Sequence, residues 1–593
     1  MARKIHYDNW SKEELIKELR HIKEIKYGLV WHRDLPEEKI DILINPDART
    51  PNEMFPNEMA GRPFPVLKEA KSKDVNSSEG KPINLLIEGD NYHSLAVLNF
   101  THQEAIDLIY IDPPYNTGNK DFIYNDKFVD KEDPFRHSKW LSFIEKRLKL
   151  AKNLLKSTGV ILVSIDDHEQ APLKMLCDEI FGEENFIVNM PRRTKSAGKT
   201  TETISLNHDY VLVYAKDRQI VKFNAISIDD RAYKYKDKYC SERGPYALSQ
   251  TLDYDSLSYS DSLDYELKLD EHIYYPGGDK KAFLVRKTGK HRASDWTWRW
   301  GKELVDFGNK NDFIVIKKGK NGQPRIYTKT YFKVVIEKIN GKYQIVPVDR
   351  AKNLSTLDLM ESTYSNDISK KDIRAVFGAE AEFAYPKPLS LIKYLINSIP
   401  NHDNLTVLDF FAGSGTTGQA VIELNKSDGG NRQFILCTNN ENNICTDVCY
   451  PRLKKVIKGY KNGEGKNIAG LGGNLKYYTC DFVEAEPTDR NKRKLVNEST
   501  EMLCIKENAF ELVEDKGDFK IYKNSNKYLG IVFYEEAIDD FKKAIKKIKG
   551  HFNVYVFSLG DDPHEKQFTD VRSRVTLCAI PEVILKVYRE IFK

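Results

Sequence analysis

The chain has 593 residues, of which 40% are hydrophobic and 30% charged, a balance typical of a soluble globular protein with about three or four domains. It shows no apolar run long enough to cross a bilayer and no secretory start, so the sequence predicts a cytoplasmic protein without a membrane partner. The net charge of +4 is too small to indicate a partner, and the eight scattered cysteines predict reduced thiols, with neither a metal site nor disulfides.

The first predicted element is an amphipathic helix over 11–25. A capping box, Ser11-x-x-Glu14, opens it. Apolar residues then recur at helical spacing, at Leu15, Leu19, Ile22 and Ile25. Residues 46–82 are rich in Pro, Asn, Ser and Lys and predict an irregular arm. We assign residues 1–80 to an N-terminal helix and arm.

From residue 83 onward, strand and helix patterns alternate. Predicted strands cover 83–90, 106–111, 159–166 and 208–216. Predicted helices lie between them, at 94–100, 140–155 and 171–182. Such alternation implies right-handed crossovers and a largely parallel sheet. We assign residues 81–216 to one half of this α/β domain.

The middle of the chain, 217–380, loses this rhythm. It is rich in Tyr, Asp and Lys, contains many short turns and includes "WTWRW" (296–300). These features predict an inserted domain.

The α/β rhythm returns at 386, and we assign residues 381–490 to the second half of the α/β domain. The predicted elements are a helix at 386–400, a strand at 405–410, a helix at 416–424 and a strand at 433–441. Residues 491–593 alternate again and predict a small C-terminal α/β domain that ends in a helix, "PEVILKVYREIF".

A glycine-rich turn, "VLDFFAGSGTTG" (407–418), follows one of these strands. Asp409 closes the strand, and Gly413 and Gly415 permit a close backbone approach to a ligand just before a helix begins. The turn lacks the lysine of a phosphate-binding P-loop, which disfavours ATP. The next strand is predicted to end at Glu441, where an acid can accept hydrogen bonds from ribose hydroxyls.

A second distinctive strand end is "DPPY", Asp112-Pro113-Pro114-Tyr115. A carboxylate and a carbonyl fixed by proline can accept both N–H bonds of an amino group, and a neighbouring tyrosine can stack on a base. Asp-Pro-Pro is also common turn chemistry. Its pairing with a glycine-rich strand end makes a clamp for the amino group of a flipped-out base the favoured interpretation.

The stretch "PRRTKSAGKT" (191–200) is basic and contains no acid. Its charged residues are Arg192, Arg193, Lys195 and Lys199. They predict a DNA-binding loop that contacts phosphates, with an ordinary solvated loop as the alternative.

Together, "DPPY" and "FFAGSGTTG" resemble the amino-methylating DNA methyltransferases that use S-adenosylmethionine. Their order, with "DPPY" first and a large insertion between them, is similar to the beta group, whose halves are permuted around a target-recognition domain. Further stretches resemble the modification subunit of type III restriction-modification systems, and the resemblance covers roughly 20–490. They are "KYGLVW", "LLIEGDNYHSL", "GVILVSIDDHE", "NHDYVLVYAK" and "YPKPLSLI".

The resemblance implies a permuted, Rossmann-like methyltransferase sheet with a target-recognition domain at 217–380. It implies that Asp112, Pro113, Pro114 and Tyr115 hold and stack a target adenine. It also implies a cofactor site for S-adenosylmethionine, with Asp409, Phe410, Gly413 and Gly415 at the methionine part, Glu441 at the ribose and Asp90 at the adenine ring. The remaining implied cofactor residues are Ala412, Thr416, Lys387 and Pro388, the last two lining the methionine pocket. Asp rather than Ser at 112 favours adenine N6 over cytosine N4, and the absence of a cysteine nucleophile disfavours cytosine C5.

The implied partners are double-stranded DNA, a second copy of the chain and a separate ATP-dependent restriction (helicase-nuclease) subunit, since the sequence shows no P-loop or nuclease signature. Three alternatives stay open. The first is a solitary methyltransferase in regulation or phage defence. The second is a non-catalytic DNA-binding scaffold, which the intact motifs disfavour. The third is methylation of RNA or protein, against which the large insertion argues.

Overall fold

A computed structural model describes residues 63–580 together with 11, 12, 16 and 31. The described range has gaps at 78–79, 119–120, 125–126, 196–203, 228–232, 270, 319–323, 379–385, 463–464, 485–487, 525–526 and 558–563. Most of the predicted N-terminal helix and arm, Lys199 and the predicted C-terminal helix therefore lie outside the described residues. The chain divides into two compact units, one formed by Ala225–Leu354 and the other by the rest.

The larger unit begins with alternating strands and helices. Its first strands are β1 (Phe64–Glu69), β2 (Val75–Asn76), β3 (Ile83–Glu88), β4 (Ile106–Ile111), β5 (Ile123–Tyr124), β6 (Lys127–Phe128), β7 (Leu155–Ile165), β8 (Phe186–Arg193) and β9 (His208–Ala215). Its first helices are α1 (Asn91–Thr101), α2 (Arg136–Leu154) and α3 (Gln170–Phe181). The predicted strands and helices between 83 and 216 are thus present, although residues 191–193, expected in a loop, extend a strand.

The smaller unit, Ala225–Leu354, is built from short antiparallel pairings. Its strands are β10 (Ile226–Ser227), β11 (Tyr246–Thr251), β12 (Asp253–Asp255), β13 (Leu267–Leu269), β14 (His272–Tyr274), β15 (Trp296–Trp298), β16 (Ile314–Lys318), β17 (Pro324–Tyr331), β18 (Val334–Ile339), β19 (Lys342–Pro347) and β20 (Ala351–Lys352). Its helices are α4 (Cys240–Arg243), α5 (Lys280–Lys287) and α6 (Lys302–Lys310). Trp298 packs in its core with Leu252 and Tyr265.

The larger unit resumes at residue 355, earlier than the sequence pattern indicates. Helices α7 (Asn366–Phe377), α8 (Leu389–Asn397), α9 (Thr416–Asp428) and α10 (Tyr450–Lys458) alternate with strands β21 (Thr406–Asp409), β22 (Gln433–Thr438), β23 (Gly459–Lys461), β24 (Asn467–Ala469) and β25 (Asn474–Val483). The side chain of Asp372 in α7 accepts a hydrogen bond from Leu389 N at 2.9 Å. This contact and the buried Ile373 and Val376 attach α7 to the larger unit.

The central sheet has the order β1-β25-β3-β22-β21-β4-β7-β9-β8, with β2 also paired to β25. All neighbours from β25 to β7 are parallel, and β1, β9 and β8 add antiparallel edges. The inner strands are apolar runs buried on both sides, as parallel strands must be. This sheet confirms the predicted Rossmann-like architecture.

The next strand along the chain after β21 is β22, which lies on one side of β21 in the sheet, whereas β4 lies on its other side. Such a reversal of strand order creates a crevice at the carboxyl ends of the two central strands, where open α/β sheets bind ligands. In this sheet the crevice lies beyond β21 and β4.

The C-terminal part contains helices α11 (Asp489–Glu507) and α12 (Ile538–Lys546) and strands β26 (Glu511–Asp515), β27 (Phe519–Lys523), β28 (Tyr528–Val532), β29 (Phe552–Val556) and β30 (Val575–Leu577). The five strands form a separate sheet in chain order. Phe519, Phe541 and Phe552 lie in its core. In the part of the chain that the structure describes, no helix is long and apolar enough to span a membrane.

Candidate active site

The two motif-bearing strands are direct neighbours. Val407 and Leu408 of β21 pair in parallel with Leu108 and Ile109 of β4. Because the strands are parallel and in register, the turns that follow them lie at the same edge of the sheet. The structure therefore brings "DPPY" and the glycine turn together at the crevice.

Asp112 places a carboxylate at this edge of the sheet. Its Oδ1 accepts a hydrogen bond from Lys387 Nζ at 2.5 Å, and the same ammonium lies 5.0 Å from the centroid of the Tyr115 ring. Lys387 immediately precedes Pro388, which caps the start of α8. The structure thus places Lys387 against the "DPPY" turn.

The two prolines keep this turn fixed. Trp140, fully buried in α2, donates from Nε1 to the Pro114 carbonyl at 2.7 Å. Among the described residues, no donor is bonded to the Pro113 carbonyl. The acceptors at the turn that could receive the two N–H bonds of an amino group are therefore the Asp112 carboxylate and the Pro113 carbonyl.

Tyr115 is half-buried, and its hydroxyl is oriented by a buried ion pair. The hydroxyl donates to Asp209 Oδ2 at 3.4 Å. Asp209 in turn receives two hydrogen bonds from Arg192, from Nε at 2.7 Å and from Nη2. Burial, together with the charges of Asp112 and Asp209, raises the pKa of Tyr115 well above its usual value. Tyr115 therefore stays a neutral phenol at any physiological pH.

The prediction that Arg192 contacts DNA phosphates is wrong. Arg192 lies in β8, directly opposite Asp209 of β9, and is 1% exposed. Its Nη1 also donates to the Tyr364 carbonyl at 2.7 Å. Its charge therefore pairs with Asp209 inside the protein, and Asp209 accepts the hydrogen bond from the Tyr115 hydroxyl. By contrast, Lys195 is exposed, and Arg193 is half-exposed on the opposite side of the strand from Arg192.

A buried polar cluster that sequence reasoning missed follows the "DPPY" turn. Asn116, fully buried with φ of 56°, donates from Nδ2 to Glu169 Oε1 at 2.5 Å. The same oxygen lies 2.6 Å from His137 Nδ1. Burial raises the pKa of Glu169 to about 8. The sequence signal for this cluster is Glu169, the last residue of "SIDDHE", an acid that follows shortly after a buried strand.

The glycine turn has the backbone that a cofactor cradle requires. Gly413 and Gly415 have φ values of 49° and 77°, in the left-handed region that favours glycine. Asp409 accepts from Phe411 N at 3.0 Å and from Thr417 Oγ1 at 2.5 Å, so its buried carboxylate shapes the turn. Burial raises the pKa of Asp409 to about 7. A turn with two glycines at a helix N-terminus fits the methionine part of S-adenosylmethionine.

Arg452 supports this turn from beneath and was not anticipated. It is fully buried in α10 and donates to Ser414 Oγ at 3.0 Å, Thr416 Oγ1 at 2.9 Å and Gln419 Oε1 at 2.6 Å. A guanidinium can make these contacts together because its donors are arranged as a rigid fork. No motif in the sequence indicates this role.

The remaining predicted cofactor residues divide into buried and accessible ones. Phe410 is fully buried, and its carbonyl accepts from Asn91 Nδ2 at 2.8 Å, so its place at the methionine part of the cofactor stays a prediction. Ala412 and Thr416 are almost completely buried in the turn.

Asp90 and Glu441 are the accessible members of the set. Asp90 caps α1 by accepting from Tyr92 N at 2.7 Å and forms an ion pair with Arg147, yet its side chain stays 43% exposed. Glu441 is exposed and follows β22, which ends at Thr438 rather than at Glu441 as expected. Both carboxylates are therefore accessible to solvent.

Comparison with known proteins gives one family and several relatives. Residues 106–448 match the family described as DNA methylase. The chain is 31% identical over 489 residues to the type III restriction-modification enzyme EcoPI Mod subunit of Escherichia phage P1, a match covering 72% of this chain and 71% of that one. It is 32% identical to the type III restriction-modification enzyme StyLTI Mod subunit of Salmonella typhimurium, covering 63% of this chain and 56% of the relative.

A relative of a different type also matches. The chain is 32% identical over 387 residues to the type II methyltransferase M.KpnI of Klebsiella pneumoniae, covering 61% of this chain and 82% of that one. Among solved structures, an M1.HpyAVI–SAM complex is similar to 63% of the chain at 12% identity, with a TM-score of 0.26.

Proposed function

Because this chain belongs to the DNA methylase family, we propose that it transfers a methyl group from S-adenosylmethionine to adenine N6 in duplex DNA, as the modification and recognition subunit of a type III restriction-modification system. The observation that carries this proposal is the position of Asp112 beside the glycine turn, at the ends of the paired strands β4 and β21.

The chemistry addresses a weak nucleophile. The lone pair of an exocyclic amino group is delocalised into the base, and two acceptors that hold its N–H bonds favour a tetrahedral nitrogen with the lone pair free. The Asp112 carboxylate and the Pro113 carbonyl supply these acceptors, and the proline rings keep them in place before the reaction starts. Pro114 is further fixed by Trp140.

S-adenosylmethionine supplies an electrophilic methyl carbon when bound. The Asp112 carboxylate and the Pro113 carbonyl would direct the N6 lone pair at this carbon, and the cofactor's sulfur would serve as the leaving group that keeps the bonding electrons. The methylated nitrogen then carries a positive charge until one of its protons leaves. The Asp112 carboxylate stabilises that charge and is placed to accept the proton. Gly413 and Gly415 would hold the methionine part of the cofactor, and Glu441 would hold its ribose.

The target base must leave the duplex to reach this edge of the sheet. Extrusion costs a few kcal/mol of stacking and pairing. Stacking on Tyr115 offsets part of that cost, since a base–aromatic stack contributes roughly 1–3 kcal/mol. Asp209 and Arg192 hold the tyrosine ready through its hydroxyl. The buried Arg192–Asp209 ion pair would therefore assist the reaction indirectly, by positioning the Tyr115 ring.

Adenine rather than cytosine is proposed because Asp, not Ser, opens the "DPPY" motif at 112. The unit Ala225–Leu354 is proposed to read the DNA site, because it interrupts the two halves of the methyltransferase fold and has a different architecture. We further propose that the chain works with a separate restriction subunit, because the EcoPI and StyLTI relatives are named as Mod subunits of type III restriction-modification enzymes. The homodimer and the ATP dependence of that subunit stay predictions from the sequence resemblance.

A solitary DNA methyltransferase is the second candidate, supported by the similarity over 82% of M.KpnI, which is named as a type II methyltransferase and not as a Mod subunit. The two candidates share the chemistry and differ only in the partner. Mixing the purified chain with the product of a neighbouring gene that carries a P-loop separates them. A type III system should cleave unmodified DNA only with both proteins and ATP, whereas a solitary enzyme should neither bind such a protein nor support cleavage.

The shared chemistry is tested by transfer of labelled methyl from S-adenosylmethionine to macromolecules. Duplex DNA should acquire label in the presence of wild-type protein, and RNA and protein should not. Label in RNA or protein but not in DNA would contradict the proposed function.

A further inference from the structure

Lys387 occupies the two surfaces that the proposed function requires for the target base. Its ammonium donates to Asp112 Oδ1 at 2.5 Å and lies over the Tyr115 ring, 5.0 Å from the centroid. The side chain is only 11% exposed, so the ammonium is enclosed at the turn rather than extended into solvent. Asp112 and Lys387 are 275 residues apart, and the pairing is a product of the fold.

A stacked base and this ammonium compete for the same space. Stacked rings have centroids roughly 4.5–7 Å apart, and the ammonium lies within that distance of the Tyr115 ring. A base that also placed its amino group on Asp112 would have to occupy the position of Lys387 Nζ. The contacts that Lys387 makes are therefore those of the base, an N–H donor on the carboxylate and a group over the ring.

Charge gives a second reason for Lys387 to leave. The target nitrogen becomes positive as it accepts the methyl group, and an ammonium on the same carboxylate would oppose that charge. It would also weaken the carboxylate as an acceptor for the amino group. A lysine fixed on Asp112 throughout the reaction would therefore raise the barrier that the clamp is built to lower.

We propose that Lys387 is an internal substitute for the target amino group, which neutralises Asp112 while the pocket is empty and is displaced when the base enters. This inference rests on the proposed function. When the base enters, the Lys387–Asp112 contact is lost. This loss offsets part of the binding free energy that the amino group contributes. Lys387 is thus a positioning residue. Because of it, the wild-type protein should bind a target adenine only slightly more tightly than a purine that lacks the amino group.

The test measures how much the amino group contributes to binding. Duplexes containing the mapped methylation site carry either adenine or purine, which lacks the amino group, at the target position. Their dissociation constants are measured by anisotropy with S-adenosylhomocysteine present. The ratio of the two constants is compared between wild type, Lys387→Met and a control, Lys371→Met, which removes an exposed lysine from α7.

The preference for adenine over purine should rise about tenfold in Lys387→Met, equivalent to about 1.4 kcal/mol, and stay unchanged in Lys371→Met. Lys387→Gln, which is one atom shorter and keeps an N–H donor without the charge, should change the preference in the same direction and provides the test if the methionine variant does not fold. An equal or lower preference in the folded variants, with wild-type protein still methylating adenine, would overturn this inference alone. A wild-type protein that methylates no adenine would overturn the proposed function and this inference with it.

Discussion

Asn116 Nδ2 lies 2.5 Å from Glu169 Oε1, and this buried contact ties the turn that carries Tyr115 to the residue that precedes α3. Asn116 adopts φ of 56°, a conformation that asparagine tolerates better than most residues. The contact therefore fixes a turn whose backbone would otherwise be free to relax, and it makes Glu169 a support for the clamp.

Stability should fall as pH rises through the neutral range. Burial raises the pKa of Glu169 from 4.5 to about 8 and that of Asp409 from 3.8 to about 7. Between the unfolded and folded pKa values the native state holds more protons, so the free energy of unfolding decreases with pH, by up to about 1.4 kcal/mol per pH unit for each group. Thermal unfolding midpoints from about pH 5 to about pH 8 measure this decrease.

Glu169→Gln should make that decrease shallower, because glutamine keeps an acceptor for Asn116 and does not titrate. The groups that face Glu169 are His137, Arg136, His168 and Asp166. Burial lowers the pKa of His137, so the imidazole provides little charge to reverse the sign. Glu132→Gln, at an exposed position, is the control. An identical pH profile in wild type and Glu169→Gln would show that Glu169 is ionised in the folded protein.

The two glycines that flank α9 give a matched pair for testing the proposed cofactor site. Gly415 precedes the helix with φ of 77°, and Gly429 follows it with φ of 78°. Alanine at either position should lose roughly 1–2 kcal/mol of stability through backbone strain. A Cβ at Gly415 would also lie 2.9 Å from Cys449 Sγ, whereas one at Gly429 would meet nothing within 4 Å.

Only Gly415→Ala should therefore displace the turn and lose affinity for S-adenosylmethionine, measured by calorimetry on the folded proteins. The cause is the contact with Cys449 together with the strained backbone, in addition to any contact with the cofactor itself. If both variants bound the cofactor as tightly as wild type, the turn would not be the binding site.

Arg192 and Lys195 should respond differently to substitution. Arg192→Lys keeps the charge and loses the paired contact with Asp209, so methyl transfer should slow as Tyr115 loses its support, while the salt dependence of DNA binding stays constant. Lys195→Met should leave the chemistry intact and reduce the slope of log K against log salt concentration by about 1. Kinetics and binding at several salt concentrations measure both effects.

A reduced salt slope in Arg192→Lys with full turnover would contradict this assignment, because it would place Arg192 on the DNA backbone.

The smaller unit should determine which DNA sequence is methylated. Replacing residues 225–354 by the corresponding unit of a related enzyme should transfer that enzyme's methylation site, since the residues proposed for catalysis and for cofactor binding all lie in the larger unit. Modification-sensitive sequencing identifies the site, and the reciprocal chimera is the control. Persistence of the original site in an active chimera would place the reader outside 225–354.

The sequence was sufficient to predict the crevice but not its supports. Buried strands that end in "DPPY" and in a glycine turn have local signatures, and parallel packing brings such ends together. Arg192 shows no local sign of its role, because "PRR" reads as a basic run until β8 places it opposite Asp209. The same holds for the Lys387–Asp112 contact, whose partners only the fold brings together.

The measurement that tests the central claim most directly is identification of the methylated base. Duplex DNA is treated with the protein and S-adenosylmethionine carrying a deuterated methyl group, digested to nucleosides and analysed by mass spectrometry. Wild type and Asp539→Ala, a control at an exposed aspartate of α12, should yield deuterated N6-methyladenine. Asp112→Ala should bind DNA yet yield at least about 100-fold less. Deuterated N4-methylcytosine in place of N6-methyladenine, or undiminished product from Asp112→Ala, would contradict the account.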